Sequence, residues 1–533
     1  MRIKLLLFIS IFLFNVSYSQ VGNSPYPIIF VHGINSSEET WDGAITRLQQ
    51  AWQVSFNRNL NFVLNALGGN TNYLEDVIIP LYDENGNTVN KLTNSNIYTI
   101  NFKNFWNENI NDPRIIIHSN EGPGTFITES KSNESSIYKQ GFALRILIDS
   151  VLKVTGAEKV ILVGHSMGGL AIREYLQRKE NGIHKWWINP SGDINGHKVA
   201  KVLTMSTPHL GSNAPFVYIF GINQWSEAMR DIRYFYESQE NSAPYLFSNY
   251  EFNVLGYHNN DVNCNGSTSD YIEGISYGTS YHSSVYPLPI NINYTWLVSK
   301  FTKTGDGCVD LDRQWLYNQN NQIRIAEPIN ISDTIMTNKR HDLVTDDIIS
   351  IIRGLDEPGT KEFAYNISLG KHYSGFITSQ SNGLELDLDF YKVTTTKAGN
   401  LVVNLNALNS GVTDIALLAS DGTLLISKPV TNASESISYE GPPNDYYIRI
   451  KGYSYNNPNY NNYLYSINLT TSQVNGEESL SSKIEYFCKE CDYKLFKSDH
   501  FKRTVKDSKS NSYEINIYEK QSGYFSKLRI FNR

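Results

Sequence analysis

The chain has 533 residues, more than one ordinary domain, so two or three folded units are expected. Its net charge of −7 and pI near 5.9 argue against a nucleic-acid-binding protein, because such proteins carry basic surfaces. Charged residues make up only 19% of the chain and aromatic residues 13%, which favours surfaces built from Asn, Ser, Thr and Tyr over ion pairs.

The first residues have the organisation of a secretory signal peptide. Two basic residues precede an apolar run over 5–14, interrupted by one serine, and small residues follow at Ser17 and Ser19, where signal peptidase would cut. The run is shorter than the roughly 20 apolar residues that span a bilayer, which disfavours a membrane anchor. We expect residues 1–19 to be removed and the mature protein to be secreted or held at the cell surface.

The four cysteines are consistent with an oxidising compartment but are too few for a disulfide scaffold. Cys264 and Cys308 are candidates for one disulfide. Cys488 and Cys491 have the spacing of half a metal site, but no second pair completes four ligands. A local disulfide and two free thiols are the alternatives for that pair.

The most informative stretch is KVILVGHSMGGLAIREY, residues 159–175. The short apolar run 160–163 predicts a buried strand, and apolar residues at helical spacing after Gly168 predict a helix. Between them, GHSMG is a G-x-S-x-G sequence, in which a very sharp turn leaves Ser166 exposed at the end of the strand. The turn requires neighbours without a Cβ, and the amide of Met167 then points at any oxyanion that forms beside the hydroxyl.

This stretch resembles the nucleophile elbow of α/β hydrolases, and GHSMGG in particular is similar to bacterial lipases and related esterases. The resemblance implies a mostly parallel sheet with helices on both faces and a cap insertion, with Ser166 as the nucleophile. It also implies that the amide after the His-Gly pair of residues 32–33, that of Ile34, is the second oxyanion donor. His32 itself is then expected to be a structural hydrogen-bonding residue.

Up to residue 356 the chain alternates strand and helix patterns, which indicates a parallel sheet wound with helices. We predict strands at 27–33, 96–102, 201–206 and 293–299. We predict helices that begin near Glu38 and that cover 140–153 and 345–353. Trp41 should pack on the sheet. The aromatic-rich segment 216–250 predicts a cap over about 212–292 with an apolar pocket below it, although these aromatics also fit the core of a helical subdomain.

The acid and the base of a serine hydrolase of this fold follow the nucleophile in the order Ser, Asp, His. Asp306 lies between two glycines after a late strand and resembles the acid segment of lipases. Two nearby carboxylates compete for this role, Asp310 and Asp312. His341, in a lipase-like H-D-L context, is the last histidine before the domain ends and is the predicted base. His209 comes too early in the chain for that role.

A calcium site is a separate possibility in the cap region. Asp261, Asn263 and Asn265 match the first half of the D-x-[DN]-x-[DN]-G calcium loop. Ile272 stands where the bidentate acid belongs, so a complete EF-hand is excluded. An irregular calcium site and an ordinary Asx/Gly turn are the two interpretations that remain.

After a predicted linker at 357–360, the hydrophobic pattern changes from helical spacing to strict alternation, which is typical of strands. Residues 357–472 are therefore predicted to form an antiparallel β-sandwich. Three segments resemble the bacterial pre-peptidase C-terminal domain, at 387–393, 414–417 and 446–450. The resemblance implies an accessory module of a secreted enzyme, which binds a polymer surface or stabilises its neighbour. Residues 473–533 predict a sorting region or a small β unit.

Together these patterns predict a secreted lipase/esterase-type serine hydrolase over residues 20–356, with the triad Ser166, His341 and Asp306. The predicted reaction requires no cofactor, and calcium is the metal that the loop sequence suggests. An amidase, a thioesterase and an acyltransferase use the same apparatus, and a catalytically silent adhesin is the non-enzymatic alternative. The expected partner is an ester or lipid substrate, with transient contact to a lipid interface or polymer through the cap or the sandwich. No partner protein and no nucleic acid is implied.

Overall fold

The computed structural model describes the chain over residues 24–52, 54–64, 77–78, 92–102, 132–180, 183–187, 197–212, 227–232, 275–277, 284–285, 288–314, 331–378, 385–407, 411–454, 464–472, 500–506, 512–519 and 525–532. These residues form two compact units. The first consists of the described residues up to Thr394 together with Val402–Tyr439 and Asp445–Thr470, and the second of Thr395–Leu401, Glu440–Asn444 and the described residues after Thr470.

A seven-stranded parallel sheet is the centre of the first unit. Its strands are β1 (Ile28–Val31), β2 (Phe56–Asn61), β3 (Ile97–Asn101), β4 (Val160–His165), β5 (Val199–Met205), β6 (Asn293–Ser299) and β7 (Ile331–Thr337). Their order across the sheet is β7-β6-β5-β4-β1-β3-β2, and every pair is parallel. β1 thus lies inside the sheet, and later strands are added on both sides of it.

The helices that flank this sheet are α1 (Asp42–Trp52), α2 (Ile137–Thr155), α3 (Met167–Gln177), α4 (Glu227–Ile232) and α5 (Ile348–Gly354). Short 3-10 helices occur at Glu38–Trp41, Ser132–Glu134, Leu311–Arg313, His341–Asp346 and Lys361–Phe363. Three pairs of two-residue strands complete this part, Val63–Leu64 with Val77–Ile78, Lys179–Glu180 with Ile183–His184, and Ser276–Tyr277 with Ser284–Val285. α2 packs on α3, and α1 packs on α5. The architecture is the predicted α/β-hydrolase fold.

The strands next to the elbow form where the sequence is mainly apolar, because they are buried on both faces. β1, β4, β5 and β6 are buried along their whole length. Trp41 lies on the sheet as predicted, with its ring centroid 4.9 Å from that of Phe30. α2 is capped at its start by Ser136, whose hydroxyl accepts from the backbone amide of Lys139, and at its end by Gly156 in the left-handed conformation, φ 67°.

Two strands of the seven-stranded sheet were not predicted, and both lie at its edges. β2 (FNRNLN) and β7 (ISDTIMT) carry polar residues through their length. In β7 the exposed residues Thr334 and Met336 alternate with the buried residues Ile335 and Thr337, so this strand lacks the continuous apolar run that identifies a central strand. The predicted helix 345–353 also needs correction: the chain forms the 3-10 helix from His341 first, and α5 begins only at Ile348.

Further along the chain, two mainly antiparallel sheets follow. Their strands are β8 (Tyr365–Asn366), β9 (His372–Phe376), β10 (Glu385–Thr394), β11 (Gly399–Asn406), β12 (Val412–Leu418), β13 (Leu424–Pro429), β14 (Ser434–Gly441), β15 (Asp445–Ser454) and β16 (Leu464–Ser472). The sheet orders are β8-β10-β15-β12-β13 and β9-β16-β11-β14. Leu401, Val403 and Leu405 are buried in alternation, as the period of two predicted. In the second unit, β17 (His500–Lys506), β18 (Ser512–Glu519) and β19 (Phe525–Asn532) form a three-stranded antiparallel sheet.

The segment predicted as a linker, 357–360, begins in a buried position. Glu357 is only 6% exposed, and its carboxylate accepts from the amide of Phe376. The Lys201 ammonium donates to the carbonyl of Asp356 at 2.7 Å. The rings of Trp52 and Phe376 lie 5.3 Å apart. Within the first unit, the hydrolase sheet and the following β region are therefore joined by packing as well as by the chain.

Several predictions concern residues outside the described ranges. These are the signal peptide, Asp261, Asn263 and Asn265 of the calcium loop, most of the cap segment, and Cys264, Cys488 and Cys491. Cys308 is described, and its thiol is free. Among the described helices, none is both long enough and apolar enough to cross a membrane.

Candidate active site

Ser166 occupies the sharp turn between β4 and α3. Its backbone has φ 53° and ψ −125°, a conformation that non-glycine residues rarely adopt and that is found where function requires strain. The flanking glycines make the turn sterically possible. A Cβ on Gly164 would lie 2.7 Å from the amide nitrogen of Gly169, and a Cβ on Gly168 would lie 2.3 Å from the carbonyl oxygen of Val31. The structure thus contains the predicted elbow, with its hydroxyl at the carboxyl end of the strand.

His341 lies between Ser166 and Asp306 and hydrogen-bonds to both. Its Nε2 is 2.9 Å from the Ser166 hydroxyl oxygen, and its Nδ1 is 2.8 Å from Oδ2 of Asp306. Because a carboxylate can only accept, Nδ1 carries the hydrogen and Nε2 is free to accept one from the serine. The three residues, 140 and 35 positions apart in sequence, therefore lie in one hydrogen-bonded row.

Asp306 is held by a tight turn that buries its carboxylate completely. Its Oδ1 accepts from the amides of Cys308 at 2.8 Å and Val309 at 2.7 Å, so only Oδ2 faces the imidazole. Burial alone would raise the pKa of Asp306, but the adjacent imidazole and the hydrogen bonds from the ring and the two amides outweigh it, so the pKa lies below its ordinary value. The competing carboxylates, Asp310 and Asp312, are both exposed.

The two predicted oxyanion donors come from separate segments beside the nucleophile. Met167 is the first residue of α3, where backbone amides point away from the helix. Ile34 belongs to the loop after β1, which passes so close that a Cβ on Gly33 would lie 2.8 Å from the Cβ of Ser166. Ile34 also lines the cavity above the serine. The amides of both residues are therefore candidates for stabilising negative charge near the Ser166 hydroxyl.

A cavity of about 240 Å³ opens onto Ser166 and His341. One wall comes from the loop after β1, and another comes from Cys308 and Val309 in the acid turn. α4, which is one of the described parts of the predicted cap segment, contributes Met229 and Ile232. The described walls are thus largely apolar, with the hydrogen-bonded row at one end.

Two other histidines of the sequence analysis lie apart from this row. His32 is buried, and its Nε2 accepts from the amide of Phe102 at 2.8 Å while Nδ1 contacts the carbonyl of Gly33. This is the structural role expected for it. The Nε2 of His209 lies 2.9 Å from the Thr204 hydroxyl, and burial, together with the charge of Arg173, lowers its pKa well below the ordinary value.

His165, which the sequence analysis left without a role, contacts His341 directly. Its Nε2 lies 2.9 Å from the carbonyl oxygen of His341, and the two ring centroids are 4.9 Å apart. Burial, followed by the proximity of His341, lowers the pKa of His165 to about 3. The only sequence signal for this contact was the position of His165 directly before the nucleophile.

Two groups of side chains in the described part of the chain have the spacing of metal ligands. One is Asp306, Cys308 and His341, whose ligand atoms lie within 4.8 Å of one another. Asp306 and His341 are already bonded within the row, and burial raises the pKa of the Cys308 thiol to about 12, which disfavours the thiolate that a metal would need. The other is a set of carboxylates near the start of the β region, Asp356, Glu357 and Asp389.

Two members of that second group, Glu357 and Asp389, are buried, and Asp356 is half-buried. Burial raises the pKa of Glu357 to about 8 and that of nearby Asp387 to about 7. The Tyr465 hydroxyl donates to Oδ2 of Asp389 at 2.5 Å. At neutral pH Glu357 is therefore expected to hold a proton, which is how a buried acid avoids an unpaired charge.

One known protein family matches part of the chain. Residues 130–247, which include the elbow, match the family described as Lecithin:cholesterol acyltransferase. No curated protein sequence matches the chain significantly. The fold and the matched segment indicate a lipase/esterase-type hydrolase.

Solved structures give only distant likenesses. The lin2722 gene product of Listeria innocua is 12% identical, with 63% of this chain and 96% of that chain covered and a TM-score of 0.33. EstA from Clostridium botulinum is 14% identical, with 61% and 84% covered and a TM-score of 0.23. The pre-peptidase C-terminal domain of collagenase from Bacillus anthracis is 12% identical, with 22% and 99% covered and a TM-score of 0.17. Because these TM-scores are low, the fold is assigned from the strand order of the parallel sheet and not from these likenesses.

Proposed function

We propose that this protein is a secreted serine hydrolase that cleaves carboxylic esters through an acyl-enzyme intermediate. The observation that carries the proposal is the continuous row of hydrogen bonds from Asp306 through His341 to the Ser166 hydroxyl. A serine hydroxyl is a weak nucleophile unless a neighbouring base removes its proton during attack. The imidazole Nε2 is correctly placed and in the correct tautomer to do so.

The reaction then has two halves. In the first, Ser166 attacks the ester carbonyl while His341 takes its proton, and the charge that develops on the imidazole is offset by Asp306. The amides of Ile34 and Met167 stabilise the tetrahedral oxyanion, and His341 returns the proton to the departing alcohol. In the second half, water takes the place of the alcohol and releases the acid. None of these steps requires a metal or another cofactor.

The cavity supports an ester with an apolar acyl or aryl group as the substrate. Its volume of about 240 Å³ holds a group of modest size, and Ile34, Met229 and Ile232 line it. The −7 net charge gives no reason to expect an anionic polymer as substrate. The cap segment and the β region after residue 356 are the two candidates for contact with a polymer or lipid surface.

Acyl transfer is the second candidate reaction. The family matched by residues 130–247 is named as an acyltransferase, and a transferase differs from a hydrolase only in which nucleophile resolves the acyl-enzyme. A small alcohol that enters the cavity in place of water would receive the acyl group. Product analysis in the presence of an added alcohol distinguishes the two reactions.

The first test is labelling of purified protein with a fluorophosphonate, which reacts only with an activated serine. We expect the wild-type protein to be labelled at Ser166 and Ser166→Ala to be unlabelled, with hydrolysis of p-nitrophenyl esters reduced on the order of a millionfold. Equal melting temperatures would show that the variant is folded. A wild-type protein that is neither labelled nor active would favour the non-enzymatic adhesin.

Chain length and metal dependence follow from the same assay. A series of p-nitrophenyl esters from acetate to palmitate identifies the acyl group that the cavity accepts, and we expect the optimum among short chains. Chelation with EDTA should leave the rate unchanged. Loss of activity or of stability on chelation would instead favour a calcium site at Asp261, Asn263 and Asn265.

A further inference from the structure

The histidine next to the nucleophile lies against the proposed base. His165 is the last residue of β4, and its side chain is only 6% exposed. Its Nε2 lies 2.9 Å from the backbone carbonyl of His341, although 176 positions separate the two residues. Because a carbonyl oxygen can only accept, Nε2 of His165 must carry the hydrogen and donate it.

This bond completes the anchoring of the His341 backbone. The amide of His341 donates to the carbonyl of Asp306 at 3.1 Å, so the segment that carries the acid holds one side of the residue. The carbonyl of His341 accepts from His165, so the segment that carries the nucleophile holds the other side. The position of the imidazole between Ser166 and Asp306 is thus fixed through its own main chain as well as through its ring.

We propose that His165 is a positioning residue, whose Nε2–H holds the His341 backbone so that the imidazole stays in reach of the Ser166 hydroxyl. The inference rests on the proposed function and adds a residue to it. His165 forms no hydrogen bond to the Ser166 hydroxyl or to the Asp306 carboxylate, and its hydrogen bond goes to the His341 carbonyl. It also lines the cavity, so the test must separate the hydrogen bond from the shape of the side chain.

A histidine suits this task because it must remain neutral. A positive charge beside His341 would oppose the imidazolium that forms there during attack. Burial keeps His165 uncharged, with its pKa lowered to about 3, so it donates one hydrogen at every pH at which the enzyme would work. Its Nδ1 is buried and has no hydrogen-bond partner among the described residues.

A purely structural role predicts different behaviour. The other ring contact of His165 is edge-on packing against Trp41, with centroids 6.4 Å apart, and a phenylalanine would preserve such packing. Phenylalanine cannot donate to the His341 carbonyl. Glutamine can, because its amide nitrogen occupies a position close to that of Nε2. The pair His165→Phe and His165→Gln therefore separates the hydrogen bond from the packing.

We expect His165→Phe to lower kcat for a p-nitrophenyl ester about 10- to 100-fold with KM nearly unchanged, since a small displacement of a catalytic group has effects of this size. The rate of fluorophosphonate labelling should fall in parallel. His165→Gln should recover kcat to within about threefold of the wild type, because its amide can restore the hydrogen bond to the His341 carbonyl. His372→Phe, a substitution in the β region, is the matched control and should change neither constant.

The inference is overturned if His165→Phe keeps its kcat within twofold, or if folded His165→Gln loses as much activity as His165→Phe. If His165→Phe does not fold, His165→Asn takes its place, because the shorter amide does not reach the carbonyl and should lose activity as Phe would. A different result would overturn the proposed function itself: fluorophosphonate would not label the wild-type protein.

Discussion

Replacement of Asp306 by asparagine tests the proposed mechanism most sharply, because the surroundings dictate how the new side chain must sit. Two backbone amides, from Cys308 and Val309, donate to Oδ1. They require an oxygen at that position, so the side-chain amide of the substituted asparagine would turn its NH₂ toward His341. The imidazole would then have to accept at Nδ1 and carry its hydrogen on Nε2, where it can no longer take the serine proton.

The expected loss is large because the wrong tautomer disables the base in every molecule. By analogy with other serine triads, Asp306→Asn should reduce kcat about 10⁴-fold, or about 5.4 kcal/mol at 1.36 kcal/mol per factor of ten. The fold should persist, since the two amides and the imidazole remain hydrogen-bonded. Initial rates of p-nitrophenyl ester hydrolysis and a thermal melt measure both quantities.

Asp310→Asn is the matched control, because Asp310 is in the same turn but exposed. It should hydrolyse the ester within about twofold of the wild type, as surface substitutions usually do. The mechanism is refuted if Asp306→Asn retains more than about a tenth of the wild-type rate. It is also refuted if Asp310→Asn causes the large loss.

Three further predictions concern the elbow, the buried carboxylates and the free thiol. Gly168→Ala should lower the free energy of unfolding by about 3 kcal/mol, because its Cβ would lie 2.3 Å from the Val31 carbonyl oxygen. Gly43→Ala is the control: its Cβ meets nothing closer than 3.5 Å, so this substitution should be neutral or stabilising. Urea titrations measure both free energies. Glu357→Gln should flatten the pH dependence of the melting temperature. Burial raises the pKa of Glu357 from 4.5 to about 8, so the folded chain holds a proton that the unfolded chain releases, and stability present at acidic pH is lost as the pH rises through this window. Calorimetry measures the melting temperature of both proteins across this pH window. If the melting temperature falls equally in the wild type and in Glu357→Gln, the raised pKa of Glu357 is contradicted. Iodoacetamide at about pH 8 should leave Cys308 unmodified in peptide mass spectra, because burial raises its thiol pKa to about 12. Rapid alkylation of the native protein would show that the thiol is not protected.

The strands around the elbow could be predicted because each is buried along its whole length and carries mainly apolar residues. β6 was predicted with its observed bounds, and β1, β4 and β5 within two residues of theirs. The edge strands could not be predicted in this way. In β7, Ile335 is buried while its neighbour Met336 is 56% exposed, so only half of the strand contributes to the apolar pattern.

The junction with the β region was also misjudged from sequence. Glu357-Pro358-Gly359-Thr360 has the composition of an exposed linker, and composition was the only signal available. What buries Glu357 is a set of contacts with residues distant in sequence, including the amide of Phe376 and the lysine at position 201 of the hydrolase sheet. Contacts of this kind depend on how two sheets pack, and no local pattern contains that information.

The choice among three neighbouring carboxylates shows where local sequence was informative but ambiguous. Glycines on both sides of Asp306 are compatible with an exposed turn, and that interpretation would leave the carboxylate in water. In the fold they have the opposite effect. A Cβ on Gly305 would lie 2.0 Å from the Val309 carbonyl, and Gly307 has φ 98°, so together they allow the chain to close tightly over the side chain between them. The closed turn directs two amides at one carboxylate oxygen and leaves the other for His341, while Asp310 remains on the outer side. The glycines therefore determine which acid meets the imidazole, and a Cβ at either position should loosen the contact between Asp306 and His341 before it affects the rest of the fold.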